Sequence, residues 1–235
     1  MWSYYGSKSK LVNLYHEPKH DLIIEPFAGS AKYSYKYWDR DVILVEKNVE
    51  VYNLWIWLQS TTKDEVLDIP RFKQGDRVSD FDLTEGQKLL SGFLVGCGLS
   101  KTQNVATFRA TTHRPNLINS QIERIANDLH KIKHWDIRLG SYEGLENTKS
   151  TWFIDPPYMD GGKHYPENVI DYNFLSEWCK SRDGQVIVCE NNNADWLPFE
   201  YLKQYWGGIK KSKEVIYYQD NGERIEVNKN SQKFW

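Results

Sequence analysis

The sequence predicts an α/β protein built on a mostly parallel sheet that closes with an antiparallel C-terminal hairpin. Three observations carry this expectation. Short apolar runs alternate along the chain with stretches of helical spacing. Three of those runs, in DLIIEPF, DVILVE and TWFIDPPY, end on an acid at the edge of a strand. Near the C-terminus, Asn-Gly separates two alternating runs in VIYYQDNGERIEV, a strong hairpin signal.

The elements follow in order. DLIIEPF (21–27) reads as a strand and a turn, and SAKYSYKYW (30–38) opens a helix. DVILVE (41–46) is a second buried strand, and NVEVYNLWIWLQS (48–60) an amphipathic helix. The rhythm then lapses between about 61 and 115, through KQGDRVSDFD and ATFRATTHRPN. It returns at LINSQIERIANDLHKI (117–132), where Leu117, Ile118, Ile122, Ile125, Leu129 and Ile132 keep helical spacing. DIRLG (136–140) and TWFID (151–155) are strands, FLSEWCKS (174–181) a helix, and QVIVCE (185–190) a strand again. The chain therefore divides into a main domain, 1–60 with 116–235, and an inserted region, 61–115. Long irregular insertions in compact domains are usually functional.

Composition narrows the classes. With 235 residues, 40% of them apolar, the chain can bury a real core. No stretch approaches the ~20 apolar residues of a membrane helix, and MWSYYGSKSK lacks the apolar core of a signal peptide. Cys97, Cys179 and Cys189 are odd in number and widely spaced, which suits reduced thiols in the cytoplasm rather than a disulfide frame or a metal site. The net charge of -2 is unevenly spread. Residues 64–85 carry seven acids and three bases, whereas 101–138 carry seven bases, three acids and three histidines. That asymmetry suits a polyanion bound on one side.

Chemistry concentrates at three strand ends. In EPFAGSA (25–31), Pro26 fixes a turn and the small residues Ala28, Gly29, Ser30 and Ala31 admit a ligand close to the backbone before a helix begins. That turn alone is equally an ordinary tight connection, and without a GxGxxG or Walker lysine pattern it does not indicate phosphate binding. Glu46, ending the next strand, can accept two hydrogen bonds from ribose hydroxyls, and beside the small-residue turn that role is favoured. In DPPY, Pro156 and Pro157 donate no backbone hydrogen bond and hold φ nearly fixed. The Asp155 carboxylate and the Pro156 carbonyl then form an acceptor pair suited to an NH₂ group, and Tyr158 offers a face on which a base can stack. Such a pair favours the nucleophilic geometry of an exocyclic amine meeting an electrophilic methyl group. Positioning and electrostatics carry that reaction.

The order of these motifs resembles the Dam-type DNA adenine-N6 methyltransferases. YYGSK (4–8) is similar to the family's aromatic-x-Gly-x-Lys segment, EPFAGSA to its DPFxGSG loop, DVILVE to its acidic second strand and FIDPPY to its catalytic motif. The resemblance implies a Rossmann-like methyltransferase sheet with a small inserted DNA-recognition lobe. It implies S-adenosyl-L-methionine as cofactor and double-stranded DNA as partner, in a bacterial cell or phage-infected host, with room for a restriction-enzyme counterpart; the compact size of 27.7 kDa suits a monomer or weak dimer. Tyr5 and Lys8 would lie by the cofactor and the active site. Glu25, Phe27, Ala28 and Gly29 would bound the methionine end, Glu46 the ribose, and Ser141 and Tyr142 the cofactor's adenine. Asp155, Pro156 and Tyr158 would receive a flipped adenine, with Asp155 also contacting the cofactor. Two positions depart from the family: Ser141 stands where many members have an acid, and Ala31 replaces the last loop glycine.

Lys101, Arg109, His113 and Arg114, with the hydroxyls of Thr107, Thr111 and Thr112, are the candidates for DNA contact. GGKHYPENV (161–169) reads as a loop over the pocket, and Lys210–Lys213 as a solvated run. Two other readings stay open. The same acceptors suit cytosine N4, RNA adenine or a protein glutamine, and the fold also suits a catalytically silent DNA-binding relative.

Overall fold

The computed structural model describes residues 1–113, 116–160, 169–207 and 210–226. A single sheet runs in the order β3-β2-β1-β4-β5-β7-β6. Its strands are β1 (Leu22–Glu25), β2 (Asp41–Glu46), β3 (Asp136–Leu139), β4 (Ser150–Ile154), β5 (Gly184–Asn191), β6 (Glu200–Gly207) and β7 (Lys210–Asp220), with β8 (Glu223–Arg224) beside β7. The first five are parallel, and β7 enters antiparallel between β5 and β6. The fold is thus the mostly parallel, Rossmann-like sheet with an antiparallel end that the sequence predicts. Asn221 and Gly222, both at positive φ, make the turn into β8, but only two residues follow as strand. The larger hairpin partner is β6, which the sequence reading passed over because EYLKQYWG lacks an apolar run.

Alternation along the strands gives the sheet two buried faces. Ile23, Leu44, Phe153, Ile187, Cys189, Ile216 and Tyr218 face one core, and Ile24, Trp152, Ile154, Val186, Val188 and Tyr217 the other. The second face is covered by α6 (Tyr172–Lys180) through Leu175, Trp178 and Cys179. The first carries α1 (Lys32–Lys36), α2 (Val49–Ser60) and α5 (Leu117–Asp128), the last continued by a 3₁₀ turn to Ile132. Two of these helices, α2 and α6, start where the sequence provides a side-chain cap. Asn48 accepts from Glu50 and Val51 N–H at the head of α2, and Asp171 from Asn173 and Phe174 N–H at the head of α6.

Residues 61–113, read as irregular in sequence, hold two helices. Thr62 with Glu65 and Thr84 with Gln87 form capping boxes at α3 (Lys63–Leu67) and α4 (Glu85–Gly96). Their spacing is obscured because α4 is buried nearly all round, so no polar face marks the period. It lies on α2 at Gly86, where an added Cβ would fall 2.1 Å from Trp57 Cγ. Val66, Leu90, Phe93 and Leu94 join the same apolar cluster as Leu54, Trp55 and Ile122. The inserted region therefore shares the core of the main domain. Arg109–His113 form a π-helical turn, a form that recurs at functional sites. Cys97, Cys179 and Cys189 are buried free thiols.

Candidate active site

The carboxyl ends of β1, β2 and β4 open on one edge of the sheet, and the strand order reverses between β1 and β4. Open α/β sheets bind ligands at such a switch point. Here the edge holds a cleft lined by Tyr5, Lys8, Glu25, Phe27, Ala28, Gly29, Glu46, Ser141, Tyr142 and Asp155. Every residue assigned to the cofactor from the sequence thus lines one cavity.

The loop after β1 is built by its own backbone and three neighbours. Gly29 (φ 46°) lies against Tyr4, whose ring carbons would stand 3.2 Å from an added Cβ. The indole of Trp55 donates to Gly29 O (2.9 Å). Gly29 N donates to Glu46 Oε2 (2.9 Å) and Asn48 N to Oε1 (2.8 Å), so the Glu46 carboxylate ties the loop to the start of α2 while facing the cleft. Glu25 is buried, accepts from Ser34 N (2.6 Å) in the first turns of α1, and is pushed by that burial to about 8. Phe27 and Tyr142 form an aromatic wall with ring centroids 5.3 Å apart. Ser141 donates its hydroxyl to Glu143, which also lines the cleft. An acid therefore stands two residues beyond the position where the sequence lacks one.

Deeper in the cleft, Asp155 caps β4. Lys8 Nζ lies 2.7 Å from Asp155 Oδ1, 2.5 Å from Tyr158 OH and 3.7 Å from Glu214 Oε1, with the Tyr158 ring centroid 4.4 Å away. Tyr158 OH and Tyr15 OH both donate to Glu214 Oε1, at 2.8 and 2.6 Å. Burial raises Asp155 to about 6, Glu214 adding to the rise and Lys8 opposing it. Burial acts to lower Lys8, yet Asp155 and Glu214 hold it well above the ordinary lysine value. The proline turn is held on both sides. Tyr172 OH donates to Pro157 O (2.6 Å), and Met159 N donates to Glu190 Oε2 (3.2 Å) at the end of β5. Pro156 is buried, and its neighbours Asp155 and Pro157 line the cleft.

Glu214, Glu190, Glu143, Tyr15 and Tyr172 escaped the sequence reading. Glu214 sits in KKSKEV, which reads as a solvated charge run. Its signal was the strand period, since positions 214, 216 and 218 share a face and both Ile216 and Tyr218 are core residues.

The candidates for DNA contact lie apart in the inserted region. Lys101 and Arg109 are exposed, Arg109 opening the π-helical turn. Phe108 beside it is 55% exposed. The Thr107, Thr111 and Thr112 hydroxyls donate to Val95 O, Thr107 O and Gln74 Oε1, so internal hydrogen bonds already employ them. Arg114 and the side chain of His113 lie outside the described residues, as does all but Val169 of the loop 161–169. Among the described residues no helix is long and apolar enough to cross a membrane.

No family model and no curated protein matches this chain. Solved structures similar to it include one from Escherichia coli provisionally described as methyltransferase yhhF, with 10% identity over 92% of this chain and 81% of that one (TM-score 0.39). A conserved hypothetical protein of Streptococcus pyogenes is 13% identical over 89% and 94% of the two chains (TM-score 0.37). A Haemophilus influenzae protein, provisionally described as a methylase, is 11% identical over 90% and 84% (TM-score 0.37). At these values the fold assignment rests on the strand order above.

Proposed function

We propose that the protein is a DNA methyltransferase that moves a methyl group from S-adenosylmethionine to N6 of an adenine turned out of the duplex. One observation supports this reading most: the small-residue loop after β1, the acid ending β2 and Asp155 after β4 meet in a single cleft. That cleft suits the cofactor on chemical grounds. Glu46 offers carboxylate oxygens to a ribose, and the Phe27–Tyr142 wall offers aromatic faces. The acids around it suit a cation.

S-adenosylmethionine supplies an electrophilic methyl group on a cationic sulfur. The chain supplies the acceptor geometry. Asp155 and the Pro156 carbonyl take the hydrogens of the target amine and turn its lone pair outward. The fixed proline turn, held by Tyr172 and Glu190, keeps both oxygens in place without reorganisation. Raised toward 6, Asp155 is a better acceptor than an ordinary aspartate for the proton the amine loses. Exposed Lys101 and Arg109 suit the phosphates or base edges of DNA.

The test is incubation with methyl-labelled S-adenosylmethionine and unmethylated DNA of mixed sequence, followed by digestion to nucleosides. Label in N6-methyldeoxyadenosine is the expected result. Label in N4-methylcytosine, or transfer only to RNA or protein, would replace the adenine assignment. No transfer to any acceptor would leave the silent relative.

A further inference from the structure

This inference rests on the methyl-transfer reading and concerns a residue that reading does not use. In the resting site the Lys8 ammonium occupies Asp155, the same carboxylate that a substrate amine needs. Lys8 and Glu214 are both almost wholly buried, so the lysine cannot simply retreat into water. A buried ammonium drawn off Asp155 with no second carboxylate in reach would be strongly disfavoured. Glu214 removes that difficulty. Its Oε1 stands 3.7 Å from Lys8 Nζ, about 1 Å beyond a charge-assisted hydrogen bond. Its Oε2 is buried and has no hydrogen-bond partner among the described residues. An unsatisfied carboxylate oxygen at the bottom of a core is unfavourable for folding alone.

We propose that Glu214 is the second seat of Lys8: the lysine holds Asp155 in the resting site and passes to Glu214 when a substrate amine takes Asp155. Tyr15 and Tyr158 fix the Glu214 carboxylate from β7 so that the seat stands ready. Glu214 is thus a positioning residue that acts through Lys8 and controls access of the amine to Asp155. The lysine side chain needs only a small rotation, because Tyr158 OH lies beside both seats.

The experiment compares Glu214→Gln and Glu214→Asp with the unmodified protein. It reads kcat for methyl transfer to DNA of mixed sequence, the dissociation constant for S-adenosylmethionine, and Tm. Glutamine keeps the shape and can still accept from the tyrosines but removes the charge. Aspartate keeps the charge on a shorter arm, within reach of the flexible lysine. The inference expects Glu214→Gln to lower kcat at least about tenfold, with cofactor affinity within about twofold, and Glu214→Asp to retain more activity than Gln. A purely structural role predicts the reverse order, with Gln close to the unmodified protein and Asp the weaker and less stable. That order, or unchanged kcat in Glu214→Gln, overturns the inference while leaving methyl transfer standing. Absence of transfer by the unmodified protein overturns both.

Discussion

Ala31 occupies φ 42°, ψ 53° at the head of α1, a left-handed conformation that strains any residue with a Cβ. The family that the sequence resembles has glycine there. Ala31→Gly is therefore expected to stabilise the fold by about 1 kcal/mol, read as a Tm rise of about 2–4 °C. Asp155 carries a second residue-level expectation. Its carboxylate must be ionised to accept the amine, and burial raises it from 3.8 to about 6. Methyl transfer should therefore be flat above neutrality and fall as pH drops through about 6, where an unperturbed aspartate would keep the rate to about 4. For stability the sign is opposite. The folded state holds this proton more tightly than the unfolded one, so Asp155 contributes least once pH has risen above 6. A pH–rate profile on folded protein separates the two effects.

Elements were legible where a period or a cap was strong. The strands at Glu25, Glu46 and Asp155 were readable because parallel, doubly covered strands are short and apolar, and because an acid at the end of such a run is conspicuous. α5 was readable because one polar face remains, whereas α4 was not because burial erases that contrast. Glu214 and Glu190 were hidden for a different reason: their neighbours in the site come from distant parts of the chain, and no local pattern encodes that contact. The inserted region yields a test at this scale. Thr84 caps α4, whose Leu90, Phe93 and Leu94 lie in the common core. Thr84→Ala should cost about 1 kcal/mol and lower the midpoint of one cooperative unfolding transition. A second, separate transition would show that 61–113 folds independently.

Across the whole molecule, the sheet gathers three strand ends into one cleft, while exposed Lys101 and Arg109 mark a surface of the inserted region. If that surface meets DNA, Lys101→Ala and Arg109→Ala should each weaken DNA binding and flatten its salt dependence by about one unit of slope, without changing cofactor affinity. Unchanged DNA affinity in both variants would remove the surface from the account. The central claim is a division of labour within the cleft: the β1 loop and Glu46 carry most of the cofactor binding, and Asp155 serves chiefly the accepting amine. The measurement that tests it most directly is S-adenosylmethionine affinity and single-turnover methyl transfer in Asp155→Asn. The account predicts a rate at least about 100-fold lower, with cofactor affinity changed by less than about threefold. Parallel loss of both, or transfer at the unmodified rate, would contradict it.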